Sequence, residues 1–188
     1  MKLTEKLQVM SCKEIERALT RLATEILERN NGVDNLMLIG IRTGGLHLAA
    51  RLKSLIEKME EKTPAFGIID ITLYRDDAHT LEQPEIGTTE IDHDINGMQV
   101  VLVDDVIFSG RTIRAAMDAL IDFGRPKNVQ LAVLVDRGLR EFPIHPDYVG
   151  RNIPTHADER VEVLLKEEDG ADDRVVIFAV EEIEEVEE

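Results

Sequence analysis

The chain has 188 residues, a length that suits one globular domain, and 43% of them are hydrophobic, although Trp is absent and aromatic residues make up only 4%. Cys12 is the sole cysteine, which excludes an intrachain disulfide and a cysteine metal cluster, and no run of about 18 apolar residues exists to span a membrane. The net charge of −16 is uneven, with 14 acidic and 3 basic residues from Asp158 to Glu188, so the body is mildly acidic and disfavours nucleic acid except through local basic patches.

The N-terminal MKLTEKLQVM has no signal-peptide pattern, and with the single thiol this predicts a cytoplasmic protein. Ser11 followed by Glu14 fits a capping box, after which Ile15, Leu19, Leu22 and Ile26 recur at helical spacing until Asn30, Asn31 and Gly32 stop the helix. LMLIGI, from Leu36 to Ile41, reads as a buried strand. The loop RTGG follows, then a helix from Leu46 to about Lys62, then a second strand over residues 66 to 73. Residues 74 to 97 turn polar and lack periodicity, which in a compact domain predicts a functional flap.

Val100 to Val103 is the next buried strand, DDVIFSG leads to a helix from about Arg111 to Phe123, and Val129 to Val135 gives another strand. A long loop, DRGLREFPIHPDYVGRNIPT, comes next. Val161 to Leu165 and Val175 to Val180 then form a hairpin around EEDGADD, and residues 181–188 are an acidic, solvated tail. Strands alternating with helices predict one α/β domain over residues 1–188 with a mostly parallel sheet flanked by helices. Ligands in such a sheet bind beyond the carboxyl ends of the strands.

VVLVDDVIFSGRT, Val100 to Thr112, carries the most chemistry. A buried strand ends in Asp104 and Asp105, and the small turn Ser109–Gly110 then opens a helix. Unpaired N–H groups at a helix start cradle phosphate, Gly110 permits close approach, and the hydroxyls of Ser109 and Thr112 can donate. Two carboxylates beside a phosphate need ribose hydroxyls or a hydrated Mg²⁺ between them, and Mg²⁺ favours one or two carboxylates plus substrate phosphates. A ribose 5-phosphate meets these requirements. An Asp pair alone would be an ordinary capping cluster; the combination with the apolar run, the three-residue spacer and SGRT is specific.

The whole string resembles the signature by which type I phosphoribosyltransferases bind phosphoribosyl pyrophosphate (PRPP). DITLYRDD (Asp70 to Asp77), VLVDDVIFSGRTIRAAMDALIDFGRP (Val101 to Pro126) and LAVLVDRGLREFPIHPDYVGRNIPT (Leu131 to Thr155) narrow the resemblance to the PyrR family, over about residues 10 to 165. That family joins attenuation of pyrimidine operons to uracil phosphoribosyltransferase activity. The resemblance implies a type I phosphoribosyltransferase fold with a flexible flap and a C-terminal hairpin, assembled as a homodimer or higher homo-oligomer. It implies conversion of uracil and PRPP to UMP and pyrophosphate with Mg²⁺, and UMP-dependent binding of a pyrimidine-operon mRNA leader.

By the same resemblance Asp104, Asp105 and Arg75 are the catalytic set, the two acids holding ribose hydroxyls and standing as candidate ligands of Mg²⁺, which comes mainly through PRPP. Val106, Ile107 and Phe108 line the PRPP and UMP site, and Ser109, Gly110, Arg111 and Thr112 hold the 5-phosphate. Arg42, Thr43 and Gly44 hold pyrophosphate, Asp136 and Arg137 border the base, and the flap excludes water. In related 6-oxopurine enzymes the place of Phe108 is an Asp that handles a ring proton; Phe108 can only stack or pack, which favours a pyrimidine. Arg17, Thr20, Arg21, Arg140 and Arg151 are the positions implied for RNA.

The chain departs from the family pattern at Thr24 and Leu139 (histidine in the family), at His145 (arginine) and at Gly44 (usually arginine). Lys13, Arg17 and Arg21 form a stripe that either faces RNA or pairs with helix glutamates. The competing functional readings are a phosphoribosyltransferase or nucleotide sensor without RNA binding, and a 6-oxopurine enzyme. His79, His93 and His156 lack metal-site spacing, His47 at the start of a helix packs or approaches pyrophosphate, and Cys12 is structural.

Overall fold

The computed structural model describes residues 2–76 and 87–181. Five parallel strands form the central sheet: β2 (Leu36–Ile41), β3 (Ala65–Ile69), β4 (Gln99–Ile107), β5 (Asn128–Asp136) and β6 (Tyr148–Asn152), in the order β3-β2-β4-β5-β6. Helices α1 (Cys12–Asn30) and α2 (Gly44–Glu60) cover one face, and α3 (Arg111–Ile121) covers the other. Alternate residues of each central strand enter opposite cores: Leu38, Val101, Val103 and Leu134 join α1 and α2, while Ile39, Leu102 and Val133 join α3. Both faces are therefore buried, which is why these strands read as continuous apolar runs.

A second, antiparallel sheet has the order β1-β8-β7, with β1 (Lys2–Ser11), β7 (Glu159–Leu164) and β8 (Arg174–Glu181). β7 and β8 are the expected hairpin, joined through the short helix α4 (Lys166–Asp169). Arg51 on α2 fastens this sheet to the body, pairing with Asp173 and Glu167. The expected capping box is present: Glu14 Oε2 accepts the Ser11 N–H at 2.9 Å, and Asn31 ends α1 in the left-handed region.

The N-terminus, for which the residues predict no element, is a ten-residue strand, β1. Four expectations need correction. The long loop after β5 contains β6. β4 does not stop at Val103 but runs through both aspartates to Ile107. β3 ends at Ile69, because Asp70 turns the chain by accepting the Thr72 N–H at 2.8 Å, and a single 3-10 turn (Thr72–Tyr74) follows. α2 starts at Gly44 inside the RTGG segment rather than at Leu46. Of the flap, residues 77–86 lie outside the described residues, as do 182–188 of the acidic tail. The returning part is pinned to the sheet edge by a reciprocal bridge between Ile68 and Glu90, both bonds 2.8 Å.

Candidate active site

Loops following β2, β3 and β4 gather at the carboxyl edge of the sheet around a cleft of about 720 Å³. Arg42, Thr43 and Gly44 come from the first, Asp70 and Arg75 from the second, and Asp104, Asp105, Val106 and Thr112 from β4 and the start of α3. Parallel strands placed side by side make this convergence automatic.

Asp104 is buried and Asp105 half-buried. Asp104 Oδ1 accepts the Asp105 N–H at 3.0 Å, and Asp105 Oδ1 accepts the Val106 N–H at 2.6 Å, so both carboxylates are held by the strand that carries them. Burial pushes the Asp104 carboxyl well above the usual carboxylate range, and the neighbouring Asp105 charge adds to it. Burial raises Asp105 as well, against the hydrogen bond from Val106. Two acids that resist ionising side by side are receptive to hydroxyl donors or a cation. Gly44 makes room for them: a Cβ there would lie 2.5 Å from Cγ of Asp105.

After β4 the backbone turns through Gly110, at φ +94°, and α3 begins. A small cavity of about 90 Å³ sits at this helix N-terminus, lined by Val106, Ile107, Phe108, Ser109, Gly110 and Thr112. Thr112 and Val106 line both the small cavity and the main cleft, so the two are adjacent. The Ser109 carbonyl accepts the N–H groups of Glu141 (2.9 Å) and Phe142 (3.0 Å), which buttress the turn from the loop after β5. The Arg111 side chain lines a small pocket with Ser109 and Thr112 and bonds Glu141 (Nε–Oε2 2.8 Å) and Asp76, its guanidinium 5.3 Å from the Phe142 ring centre.

In the loop after β2 the Arg42–Thr43 peptide is cis. Arg42 Nη2 donates to the Thr88 carbonyl at 3.0 Å, while its Nε is buried with no acceptor among the described residues. A buried donor left open costs free energy until an acceptor arrives. Burial alone would raise Asp70, but Thr72, the Gly87 N–H (2.9 Å) and Arg42 hold it below its ordinary value. Arg160, on β7, also lines the cleft opposite these loops. Sequence reasoning missed it, because the hairpin strand was read from Val161 onward and no motif surrounds Arg160.

At the far end Arg137 is buried and sits over Phe108, its guanidinium carbon 4.3 Å from the ring centre. Asp136 is occupied locally, accepting from the Gly138 N–H (2.9 Å) and from Arg140 (2.6 Å).

A phosphoribosyl transferase domain matches residues 8–168. The chain is 56% identical to the bifunctional protein PyrR of Thermoanaerobacter pseudethanolicus, covering 92% of this chain and 97% of that protein. Against the bifunctional protein PyrR of Pelotomaculum thermopropionicum the identity is 55%, over 93% and 96%. The chain belongs to the PyrR family. Among solved structures it resembles the hypoxanthine phosphoribosyltransferase of Trypanosoma cruzi, with a TM-score of 0.69 and 18% identity over 94% of this chain and 98% of that one. At that identity the likeness speaks for the fold: this is a type I phosphoribosyltransferase fold, a parallel five-stranded sheet flanked by helices.

The residues that PyrR resemblance implied for RNA are not equally free. Arg17 and Thr20 are exposed on α1, the Thr20 hydroxyl donating to the Glu16 carbonyl at 2.8 Å. Arg21 pairs with Glu25 and donates to the carbonyls of Val149 (3.1 Å) and Gly150 (2.7 Å). Arg151 donates to the Val9 carbonyl (2.7 Å) and to Glu14 (2.9 Å). Arg140 is committed within the protein, bonding the carbonyls of Gly138 and Ile144 and Asp136 in its own loop and the Phe108 carbonyl on the turn before α3. Thr24 bonds the Thr20 carbonyl at 3.1 Å, and Leu139 and His145 are exposed.

No cluster of three or more His, Cys, Asp or Glu side chains that could hold a metal ion exists among the described residues. The donor set offers two adjacent carboxylates at the cleft, which fits an ion brought in on a phosphate ligand rather than one caged by protein. No helix is long and apolar enough to cross a membrane among the described residues.

Proposed function

We propose that this PyrR-family protein transfers the phosphoribosyl group of PRPP to uracil, releasing pyrophosphate and forming UMP, and that UMP-dependent binding of a pyrimidine-operon mRNA leader makes it a regulator as well. The observation that carries the reading is the placement of Asp104 and Asp105 directly beside a phosphate-sized cavity at the start of α3. One domain supports both roles, in a cytoplasmic protein that works as a homodimer or higher homo-oligomer.

The 5-phosphate takes the amides and hydroxyls from Ser109 to Thr112, where the helix start supplies donors and a favourable dipole. Asp104 and Asp105 accept from the two ribose hydroxyls, which relieves the strain of burying them together. Pyrophosphate lies along Arg42, Thr43 and Gly44, giving the open Nε of Arg42 an acceptor, with Arg75 and Arg160 adding positive charge. Asp104 and Asp105 would help hold Mg²⁺ arriving with PRPP, and the ion would supply neutralisation of pyrophosphate charge. Charge developing on the ribose as that bond lengthens is stabilised by the aspartates.

Uracil then meets the ring face and backbone at Phe108, with Asp136 and Arg137 bordering the pocket. Phe108 offers no group to exchange a ring proton, which favours a pyrimidine over a 6-oxopurine. Arg17 and Thr20 are the positions on α1 that present themselves to RNA.

The test is PRPP-dependent turnover with uracil, hypoxanthine and guanine offered together. Consumption of uracil alone is expected, and preferential consumption of either purine would overturn the assignment. For the regulatory half, filter binding of a pyrimidine-operon leader should weaken steeply with salt; no retention at low salt would remove it.

A further inference from the structure

The N-terminal strand reaches the base-binding end through contacts that no substrate touches. β1 pairs with β8, and the register skips twice, between Glu5 and Leu7 and between Gln8 and Met10. Lys6 and Val9 are thus the residues left over at two irregularities. Such bulges re-aim a side chain or carbonyl and often accompany functional sites. Both are aimed at the same part of the molecule: the Val9 carbonyl accepts from Arg151 on β6, and Lys6 crosses β8 to pair with Glu159, the first residue of β7.

Glu159 is a buried carboxylate with two tasks. One oxygen meets Lys6; the other accepts the His156 N–H at 2.8 Å, while the Glu159 N–H returns a bond to the His156 carbonyl at 3.2 Å. These reciprocal bonds close the turn from His156 to Glu159. Arg137 is held by the acceptors of this region: Thr155 Oγ1 at 2.9 Å, the His156 carbonyl at 3.1 Å and the Glu159 carbonyl at 2.7 Å. With its edge fixed by three acceptors, its face is left for Phe108.

We propose that Lys6 and Glu159 are positioning residues for base recognition: they fix the turn that holds Arg137 over the ring of Phe108. The inference rests on uracil docking at Phe108 and Arg137. Lys6 gives this carboxylate its counter-charge while the other oxygen holds the His156 N–H, and so keeps the turn closed; the path from β1 to the pocket is Lys6, Glu159, the turn backbone, Arg137, Phe108. Arg42, Thr43 and Gly44 after β2 and the Ser109–Thr112 helix start are not on this path, which comes nearest to the phosphate groups at Arg160, next to Glu159 on β7, and at Phe108.

Steady-state kinetics with uracil and PRPP varied separately test it on Lys6→Met and Lys6→Arg, since Lys6 is exposed at its outer side and neither change removes core. Lys6→Met is expected to raise KM for uracil about 2- to 5-fold, the range of a partly exposed ion pair, with KM for PRPP unchanged and Lys6→Arg restoring the original value. An equal rise in both KM values, or no change in either, overturns the inference. Hydrogen exchange at the His156 amide, read without substrate, should quicken by about the same factor in Lys6→Met; undiminished protection also overturns it. If the unaltered protein fails to convert uracil, the base assignment falls and this inference with it. If it converts uracil normally and the variants match it, only this inference falls.

Discussion

Gly44 and Asp105, on loop and strand from neighbouring β-strands, occupy one space: a side chain on Gly44 would run into the Asp105 carboxylate, with its Cβ 2.5 Å from Cγ. The carboxylate cannot simply yield, because the Val106 N–H holds its other oxygen at 2.6 Å. The glycine lets the acid lie against the backbone. Gly44→Ala should therefore displace Asp105 and weaken PRPP use about 10- to 100-fold, the worth of one charge-assisted hydrogen bond. Steady-state KM and kcat for PRPP check it, with circular dichroism unchanged.

Asp104 sets activity against stability. Burial, and then the Asp105 charge, raise its carboxyl above the ordinary 3.8. The folded protein thus binds a proton that the unfolded chain has already released, so ionisation costs stability from about pH 3.8 upward and reaches its full cost above the folded value. Asp104→Asn removes that cost. It should raise the thermal midpoint of the ligand-free protein at pH 7 but not near pH 3, while PRPP use falls about 10- to 100-fold.

Arg51 answers a different buried acid. Its guanidinium pairs with Asp173, which is 5% exposed, and with Glu167, locking α2 to the antiparallel sheet. Arg51→Met leaves the buried Asp173 without its counter-charge, with the Lys166 N–H (3.0 Å) still donating to it. Breaking a buried pair costs about 3–5 kcal/mol, and partial access to water here should bring that to about 2–3. At about 2–4 °C per kcal/mol for a chain of this size, the thermal midpoint should drop by about 4–12 °C. Arg51→Met with Asp173→Leu should recover most of it.

Glu14 gives a signature in acid. Its hydrogen bonds from Ser11, then its pairing with Arg151, pull its pKa down from 4.5 to about 2. A lowered carboxyl contributes stability that is complete above pH 4.5 and disappears as pH falls through about 2. Glu14→Gln should therefore be less stable than the unaltered chain at pH 6 and indistinguishable from it near pH 2, read from denaturant midpoints across that interval.

The central strands and the phosphate turn were readable from the residues because both faces of the sheet are buried and because DDVIFSGRT combines acids with small residues at a helix start. β1 was not, since it is an edge strand whose two bulges break the alternation of two that would betray it, leaving Leu3 and Leu7 exposed. β6 was hidden for a related reason: YVGRN is short and polar at its end, and its strand character comes from pairing with β5. The continuation of β4 through both aspartates also escaped, because carboxylates rarely sit in a buried strand unless a site needs them there. Arg160 and the tether from Lys6 to Arg137 are products of tertiary folding, joining segments more than 100 residues apart, and no local pattern signals them. The role of Gly44 needed the position of Asp105.

Crystals of the protein soaked with UMP test the central claim most directly. The phosphate should sit on the amides and hydroxyls of Ser109 to Thr112, the ribose hydroxyls on Asp104 and Asp105, and the base beside Phe108. A nucleotide bound away from the α3 helix start, with both aspartates untouched, would contradict it.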